Sequence, residues 1–253
     1  ILFPVGISST HVAMCTIRME PVWASLGQAA GVAAALAIDH DLGLADLPVN
    51  QIQDELLKQG CVLFFYTDLP RDAPAFEAAQ KLSLLGAVAN NDPDRFQANG
   101  PAASLSDLNK EAYRFRPKES VTMSEFARMA VKGLQVPLSI TAAHFNDVPR
   151  GHPAYQYIET LYDYSTQSHV PFFDYEIHKE PGKSTRVLAH PDQEVTSANA
   201  IKIISGLLRG KVKAWPKSDG NLTRGEAAQL IYQQNDMNNS KLAPPQQTRR
   251  QDG

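Results

Sequence analysis

The sequence predicts a chain of two parts, a short α/β segment followed by a mostly α-helical repeat domain. A stretch rich in glycine and alanine near the start predicts a helix, and the apolar run 61–66 that follows it is typical of a buried strand. Proline and aspartate interrupt any regular element over 68–74. A proline-containing turn, an apolar residue and a threonine then recur three times. These observations predict domains at 1–70 and 75–234 and a disordered tail at 235–253.

The composition excludes several classes of function. The chain has 253 residues, of which 43% are hydrophobic and 20% charged, which is enough for two small globular domains. A net charge of -3 argues against a nucleic-acid partner, which would require a basic surface. No apolar run approaches the ~20 residues that span a bilayer, so no transmembrane segment is expected. Cys15 and Cys61 lack metal-binding spacing and are expected to be buried free thiols, and the histidines form no helical metal-binding pair, so no metal site is predicted.

The stretch 8–35 carries the chemistry expected of the first part. A polar loop with His11, Arg18 and Glu20 is predicted to precede a helix whose first turn is 26–31. Small residues there let another helix pack closely, or let a flat ligand rest on the free N–H groups of the helix start. Those groups and the helix dipole favour negative charge. From the residues alone, both interpretations stay open.

Three short motifs in this stretch resemble a family of FAD-dependent oxidoreductases, some of whose members carry the label xanthan lyase. The motifs are Ser8-Ser-Thr-His-Val-Ala13, Ile17-Arg-Met-Glu-Pro21 and Leu26-Gly-Gln-Ala-Ala-Gly31. The resemblance covers about 1–88 and implies the C-terminal part of a Rossmann-type FAD-binding domain, with FAD as cofactor and a small molecule as substrate.

The resemblance also assigns roles to residues. It implies that the amides of Gly27 to Ala30 approach the flavin and stabilise the negative charge of its reduced form. His11 and Arg18 would face the flavin or the substrate. The implied reaction is hydride transfer to the flavin from a substrate for which carbohydrate-related compounds are one candidate class. The cofactor-binding residues are therefore expected to be Gly27, Gln28, Ala29, Ala30 and Gly31.

The G-x-G-x-x-G fingerprint that holds a dinucleotide pyrophosphate is absent from the sequence. The chain also opens on an apparent strand, so we expect it to be a fragment of a longer reading frame that binds FAD poorly by itself. The cell envelope or the extracellular space is the expected location, with the cytoplasm as the alternative, because any export signal would lie upstream.

The three repeats place a threonine where a helix begins. The pairs are Val121-Thr122, Val195-Thr196 and Leu222-Thr223. Glu125 and Glu226, each three residues after its threonine, complete capping boxes. Helices are also predicted from Phe76 and after Tyr155. Repeats of this kind stack, because none of them buries its apolar face alone.

This second part resembles the S-layer homology modules of bacterial cell envelopes over about 75–233. The resemblance rests on Phe145-x-Asp-Val148 with His152-x-Ala-Tyr155, and on the Val-Thr-x-x-Glu-Phe-Ala helix start. It implies a prism of three modules that binds acidic wall polysaccharide through a T-R-x-E corner. Only 223–226 matches that corner in full, so Arg224 is the candidate polysaccharide-binding residue. This chain departs from the pattern in three ways. It has an insertion at 166–186, it has Asn199 in place of the acid, and it lacks the helix that would open the third module.

Three classes of function follow from these patterns. The first is an FAD-dependent oxidoreductase with an appended module for envelope attachment or scaffolding. The second is a non-catalytic protein that binds cell-envelope polysaccharide, and the third is a scaffold alone. We expect the first.

Overall fold

A computed structural model describes residues 1–88, 114–179, 181–182, 184–216 and 220–239, and beyond 234 only the backbone. The chain divides into two compact units, of which the first is Ile1–Leu63 and the second begins at Phe64. The helices are α1 (His11–Ile17), α2 (Glu20–Asp39), α3 (Val49–Lys58), α4 (Phe76–Leu84), α5 (Met123–Gly133), α6 (Tyr155–Thr166), α7 (Ser197–Leu207) and α8 (Arg224–Asn239). The strands are β1 (Glu176–His178) and β2 (Arg186–Leu188).

Two helices form where the sequence predicted a polar loop and a later helix start. α1 begins at His11, and the Thr10 hydroxyl caps it by accepting the N–H of Ala13 at 3.2 Å. α2 begins at Glu20 with Pro21 in its first turn. The predicted start at 26–31 is therefore wrong. Proline is favoured in a first helical turn because its missing N–H would have no partner there, so Pro21 opens α2.

The core of the first unit is small. α2 packs on α3, in which Ile52, Leu56 and Leu57 recur at helical spacing. The predicted strand at 61–66 is wrong, because residues 61–66 form no strand in the structure. Val62 and Phe65 are exposed there, and the Phe64 backbone bonds the side chain of Gln80 instead of a neighbouring strand. The buried apolar residues of this unit are Val32, Ala33, Ala37, Leu47, Leu56 and Leu57.

One helix of the described residues is long and apolar enough to cross a membrane by length and composition, and it is α2. The sequence analysis expected no apolar run of that length. Core helices of soluble proteins and signal sequences meet the same criterion, so the finding does not by itself indicate a membrane segment.

The three repeats of the second unit close into a ring of backbone hydrogen bonds. The Val121 N–H donates to the Leu222 carbonyl at 2.9 Å, the Val195 N–H to the Val121 carbonyl at 2.9 Å, and the Leu222 N–H to the Val195 carbonyl at 2.8 Å. Each of these residues immediately precedes a capping threonine. The ring therefore sets the starts of α5, α7 and α8 side by side.

Helices pack around this ring in a regular order. α4 lies against α5 and α8, and α6 lies against α5 and α7. Between α7 and α8 the described chain has no opening helix, as the sequence predicted. The fully buried side chains with the largest volumes include Phe115, Phe126, Met129, Ile158, Leu161, Ile203, Leu222 and Ile231.

The second unit begins earlier than the sequence suggested, because the first repeat has an opening motif that the sequence analysis missed. Tyr66-Thr-Asp-Leu-Pro70 corresponds to Phe145-Asn-Asp-Val-Pro149. Asp68 accepts the N–H groups of Phe115 and Arg116 at 2.7 and 2.8 Å. Asp147 likewise accepts the N–H groups of Ala189 and His190. In both repeats, the aspartate ties the opening loop to the turn that precedes the closing helix.

The insertion and the start of the predicted tail belong to the second unit. β1 lies within the predicted insertion and pairs antiparallel with β2, which begins at the last residue of the insertion, so that Ile177 lies opposite Val187. The tail was predicted to be disordered from residue 235, but the backbone continues as α8 to Asn239. Residues 240–253 lie outside the described part of the chain.

Candidate functional sites

His11 and Arg18 lie on the same side of α1. They are seven residues apart, close to two turns of a helix with 3.6 residues per turn, and Arg18 caps the end of α1. Both side chains are exposed. The structure thus places an imidazole and a guanidinium on one accessible face, about 10 Å apart along the helix axis at 1.5 Å per residue.

The residues predicted to bind FAD lie in the interior of α2, not at its start. Because α2 begins at Glu20, the amides of Gly27 to Ala30 already have partners within the helix. The predicted donation of free amides to the flavin is therefore not available in this arrangement. What remains is a surface that a flat group could approach closely. A Cβ built on Gly27 or Gly31 would meet no atom within 4 Å, so no neighbouring side chain covers the helix at these two positions.

One long-range contact and the two cysteines complete the first unit. The Gln28 amide donates to the Gln59 side chain at 3.2 Å, so this predicted cofactor residue is engaged with the segment that follows α3. Both cysteines are free, as predicted, but Cys15 is exposed and Cys61 half-buried, so the expected burial is wrong. The Cys15 thiol lies 3.6 Å from the His11 carbonyl oxygen, one helical turn away.

Arg224 lies inside the second unit and is only 2% exposed. Its guanidinium pairs with Glu125 of the first repeat and lies 5.9 Å from the centre of the Phe115 ring. The other Glu125 oxygen accepts the Thr122 N–H at 3.4 Å, which completes the predicted capping box of α5. Arg224 thus joins the third repeat to the first, and it could contact a polymer only if the pair with Glu125 opened.

The two other corners of the ring lack this ion pair. The positions equivalent to Arg224 hold Met123 and Ser197, and Asn199 stands where the first repeat has Glu125. The Ser197 hydroxyl and the side-chain oxygen Oδ1 of Asn199 are buried without a hydrogen-bond partner among the described residues. In the third repeat, Glu226 accepts the N–H and hydroxyl of Thr223, which confirms the second predicted capping box.

A carboxylate between two histidines joins the hairpin to the second repeat. Glu176 lies 3.0 Å from the Nε2 of His178 and 3.2 Å from the Nε2 of His190. These contacts lower the pKa of Glu176, and the hydrogen bond with His178 contributes most. Across the described part of the chain, no group of three or more His, Cys, Asp or Glu side chains is arranged to hold a metal ion.

A comparison with protein families gives a match over the first unit. Residues 1–56 match the family model described as FAD dependent oxidoreductase. The match, which covers less than a quarter of the chain, suggests an oxidoreductase part with a Rossmann-type FAD-binding fold, of which the described first unit shows helices and no strand. It supports FAD as the cofactor, and it covers His11, Arg18 and the open face of α2. A search of curated proteins finds no match to the chain.

Sequence reasoning missed two features of the second unit. The first is the opening motif at Tyr66, which an alignment of 66–76 with 145–155 reveals, because Asp, two prolines, arginine and alanine recur at one spacing. The second is the contact of Glu176 with His190, which depends on how the hairpin docks. No pattern along the chain predicts it.

Proposed function

We propose that the protein is part of an FAD-dependent oxidoreductase that takes a hydride from a small-molecule substrate. The observation that carries this proposal is the family match over 1–56, which coincides with an exposed histidine, an exposed arginine and a helix face free of side-chain obstruction. FAD, when bound, supplies the two-electron acceptor. Carbohydrate-related compounds are the substrate class we would test first.

In this proposal, the exposed residues of α1 act on the substrate. Arg18 would hold an anionic or polar substrate group, because a guanidinium always carries its charge and donates several hydrogen bonds from one plane. His11, on the same side of α1, would bind or transfer a proton. The glycines at 27 and 31 would let the flavin lie close to α2.

Arg18→Ala tests the mechanism in the product of the complete reading frame. That protein should carry yellow flavin absorbance, and the variant should reduce its flavin more slowly when substrate is added. Arg71→Ala, an exposed arginine of the second unit, serves as the control. An unchanged reduction rate in Arg18→Ala would remove Arg18 from the mechanism, and a complete protein without flavin would overturn the proposal.

For the second unit, we propose attachment to cell-envelope polysaccharide or a scaffold role, which places the protein in the envelope or outside the cell. The closed ring of three repeats supports this candidate, since backbone hydrogen bonds join three similar modules directly to one another. Sedimentation of the chain with purified bacterial wall polymer separates the two roles. Binding supports attachment, and absence of binding leaves the scaffold.

A further inference from the structure

A cavity of about 360 Å³ lies where the start of α5 meets the turn before α7 and the β1–β2 hairpin. That volume falls within the roughly 300–1,000 Å³ typical of ligand pockets. Met123 and Asn199 both line the cavity, so it occupies the corner of the ring where the first repeat meets the second. It is separate from the corner of Arg224 and from the first unit.

The repeat pattern relates this cavity to the corner that a guanidinium fills. The Arg224 N–H donates to the Glu119 carbonyl at 2.8 Å, and the Met123 N–H donates in the same way to the Gln193 carbonyl at 2.8 Å. Arg224 and Met123 are each the first residue of a helix, α8 and α5. The backbone arrangement of the two corners is therefore the same. One corner holds a buried guanidinium, whereas the other has the neutral side chain of Met123.

Asn199 leaves a hydrogen-bond acceptor in the cavity without a donor. It holds the position that Glu125 holds in the first repeat, three residues after the capping threonine. Its side-chain oxygen Oδ1 is buried and has no hydrogen-bond partner among the described residues. A buried acceptor that has lost its hydrogen bonds to water destabilises the folded state, and a ligand that donates an N–H removes that penalty. The cavity therefore favours a ligand with N–H donors.

The charges around the cavity favour a cation. Asp174, Glu176 and Glu194 line it, and no lysine or arginine among the described residues does. Asp174 pairs with Lys202 at 2.6 Å. Glu194 accepts the neutral amide of Asn221, and Glu176 contacts two histidines. One permanent positive charge thus stands against three negative ones. An adjoining cavity of about 460 Å³ adds two aspartates and again, within the described chain, no lysine or arginine.

The rest of the lining fits an organic cation better than a metal ion. Tyr175, which is 39% exposed, lines the cavity beside the carboxylates, and an aromatic ring attracts a cation placed over its face. Phe115 lies in a similar relation to Arg224 at the other corner, 5.9 Å from the guanidinium. Met123 adds a polarisable thioether. No group of three or more His, Cys, Asp or Glu side chains in the described ranges is arranged to hold a metal ion.

We propose that this corner of the ring binds a guanidinium group supplied by a ligand, as the corner of Arg224 binds one supplied by the chain itself. A guanidinium is planar, always carries its charge and donates several hydrogen bonds in fixed directions. Those properties match an unpaired acceptor, three carboxylates and a tyrosine ring placed around one cavity. The inference goes beyond the function proposed above, since it needs neither flavin nor wall polysaccharide.

Titration of the full chain followed by NMR at about pH 7, where the carboxylates are ionised, tests the proposal. The probes are arginine, agmatine and a blocked Gly-Arg-Gly peptide, and citrulline, in which a neutral urea replaces the guanidinium, is the matched negative for arginine. We expect saturable shifts of the Thr196 backbone amide and the Asn199 side-chain amide, with a Kd for agmatine on the order of 1 mM. Arginine should bind more weakly than agmatine, because its own carboxylate meets the acidic lining, and citrulline roughly tenfold more weakly than arginine. Tighter binding of the peptide than of agmatine would identify a protein as the source of the guanidinium, and the reverse a small molecule.

Variants locate the binding. Glu194→Gln removes one carboxylate of the cavity and should weaken agmatine binding by roughly two- to fivefold, as expected for an exposed ion pair. Glu119→Gln, in the corresponding turn of the first repeat and outside the cavity, is the matched control, and both side chains are exposed, so the fold should not change. Met123→Arg should place a guanidinium of the chain in the cavity and abolish binding. No saturable shift with agmatine or arginine, equal affinity for citrulline and arginine, or equal binding by Glu194→Gln and Glu119→Gln would overturn the proposal, whatever the flavin and wall-polymer measurements show.

Discussion

Two glycines inside helices show how differently the two units are built. Around Gly31 of α2, an added Cβ would meet no atom within 4 Å. On Gly133 of α5, the same atom would lie 2.6 Å from Ile231 and 2.7 Å from Leu82. Glycine thus leaves an open face in the first unit, whereas in the second it lets α5 pack against α4 and α8. The same residue type marks an accessible surface in one unit and a close-packed core in the other.

The largest expected effect comes from the core of the second unit. Phe126 is fully buried, so Phe126→Ala should lower the free energy of unfolding by about 3–5 kcal/mol through lost burial and the remaining cavity. Ile38→Ala, in α2, removes a side chain that is 80% exposed and should change stability by less than about 0.5 kcal/mol. Urea unfolding followed by tryptophan fluorescence measures both losses, with Trp215 reporting on Phe126→Ala in the second unit and Trp23 reporting on Ile38→Ala in the first. Equal losses would contradict the contrast between the units.

The ion pair of Arg224 sharpens the comparison within the second unit. Glu125→Gln keeps a side chain that can complete the capping box of α5 but leaves the charge of Arg224 buried without a carboxylate. It should lower the free energy of unfolding by about 3 kcal/mol. The matched control is Glu226→Gln, which changes a capping box with no arginine partner among the described residues and should cost less than about 1 kcal/mol. If the two variants unfold at the same urea concentration, the pair does not hold the third repeat to the first.

The two glycines can be compared by one substitution. Gly31→Ala should stabilise the chain by about 0.5–1 kcal/mol, because alanine is the better helix former and its methyl group meets nothing. Gly133→Ala should destabilise it, because Ile231 and Leu82 would have to move. Thermal unfolding measures both signs. In the complete flavoprotein, Gly31→Ala should also weaken flavin retention, and unchanged retention would place the flavin elsewhere.

The smallest expected effect concerns the exposed hairpin. His178 and His190 lower the pKa of Glu176 from its ordinary value of 4.5, because the His178 hydrogen bond and the His190 imidazole 3.2 Å away favour the charged carboxylate. The carboxylate therefore stabilises hairpin docking above pH 4.5, and this contribution is lost as the pH falls through the lowered pKa. Carboxyl NMR should show a midpoint for Glu176 below 4.5, and His178→Ala should raise it. A midpoint that His178→Ala leaves unchanged would rule out the contact.

Local patterns predicted most of the second unit. Thr122 with Glu125 and Thr223 with Glu226 form their capping boxes because that pattern satisfies N–H groups of the same helix turn. The opening helix from Phe76 and the missing third opening helix were also visible in the sequence. The start of α2 was misplaced because Pro21 can end one element or begin another, and neighbouring residues did not decide between them.

The sequence by itself determined what depends on residues a few positions apart: the helix caps, the repeat period and the motif order at the start of the chain. Only the tertiary structure decided which groups from distant positions meet. It buried Arg224 against Glu125, 99 residues away, and set Glu176 against His190. It also built a cavity where the start of α5 meets the hairpin and the turn before α7. The physical reason is that these contacts depend on packing between repeats, which no local spacing encodes, whereas caps and periodicity satisfy the backbone within one helical turn.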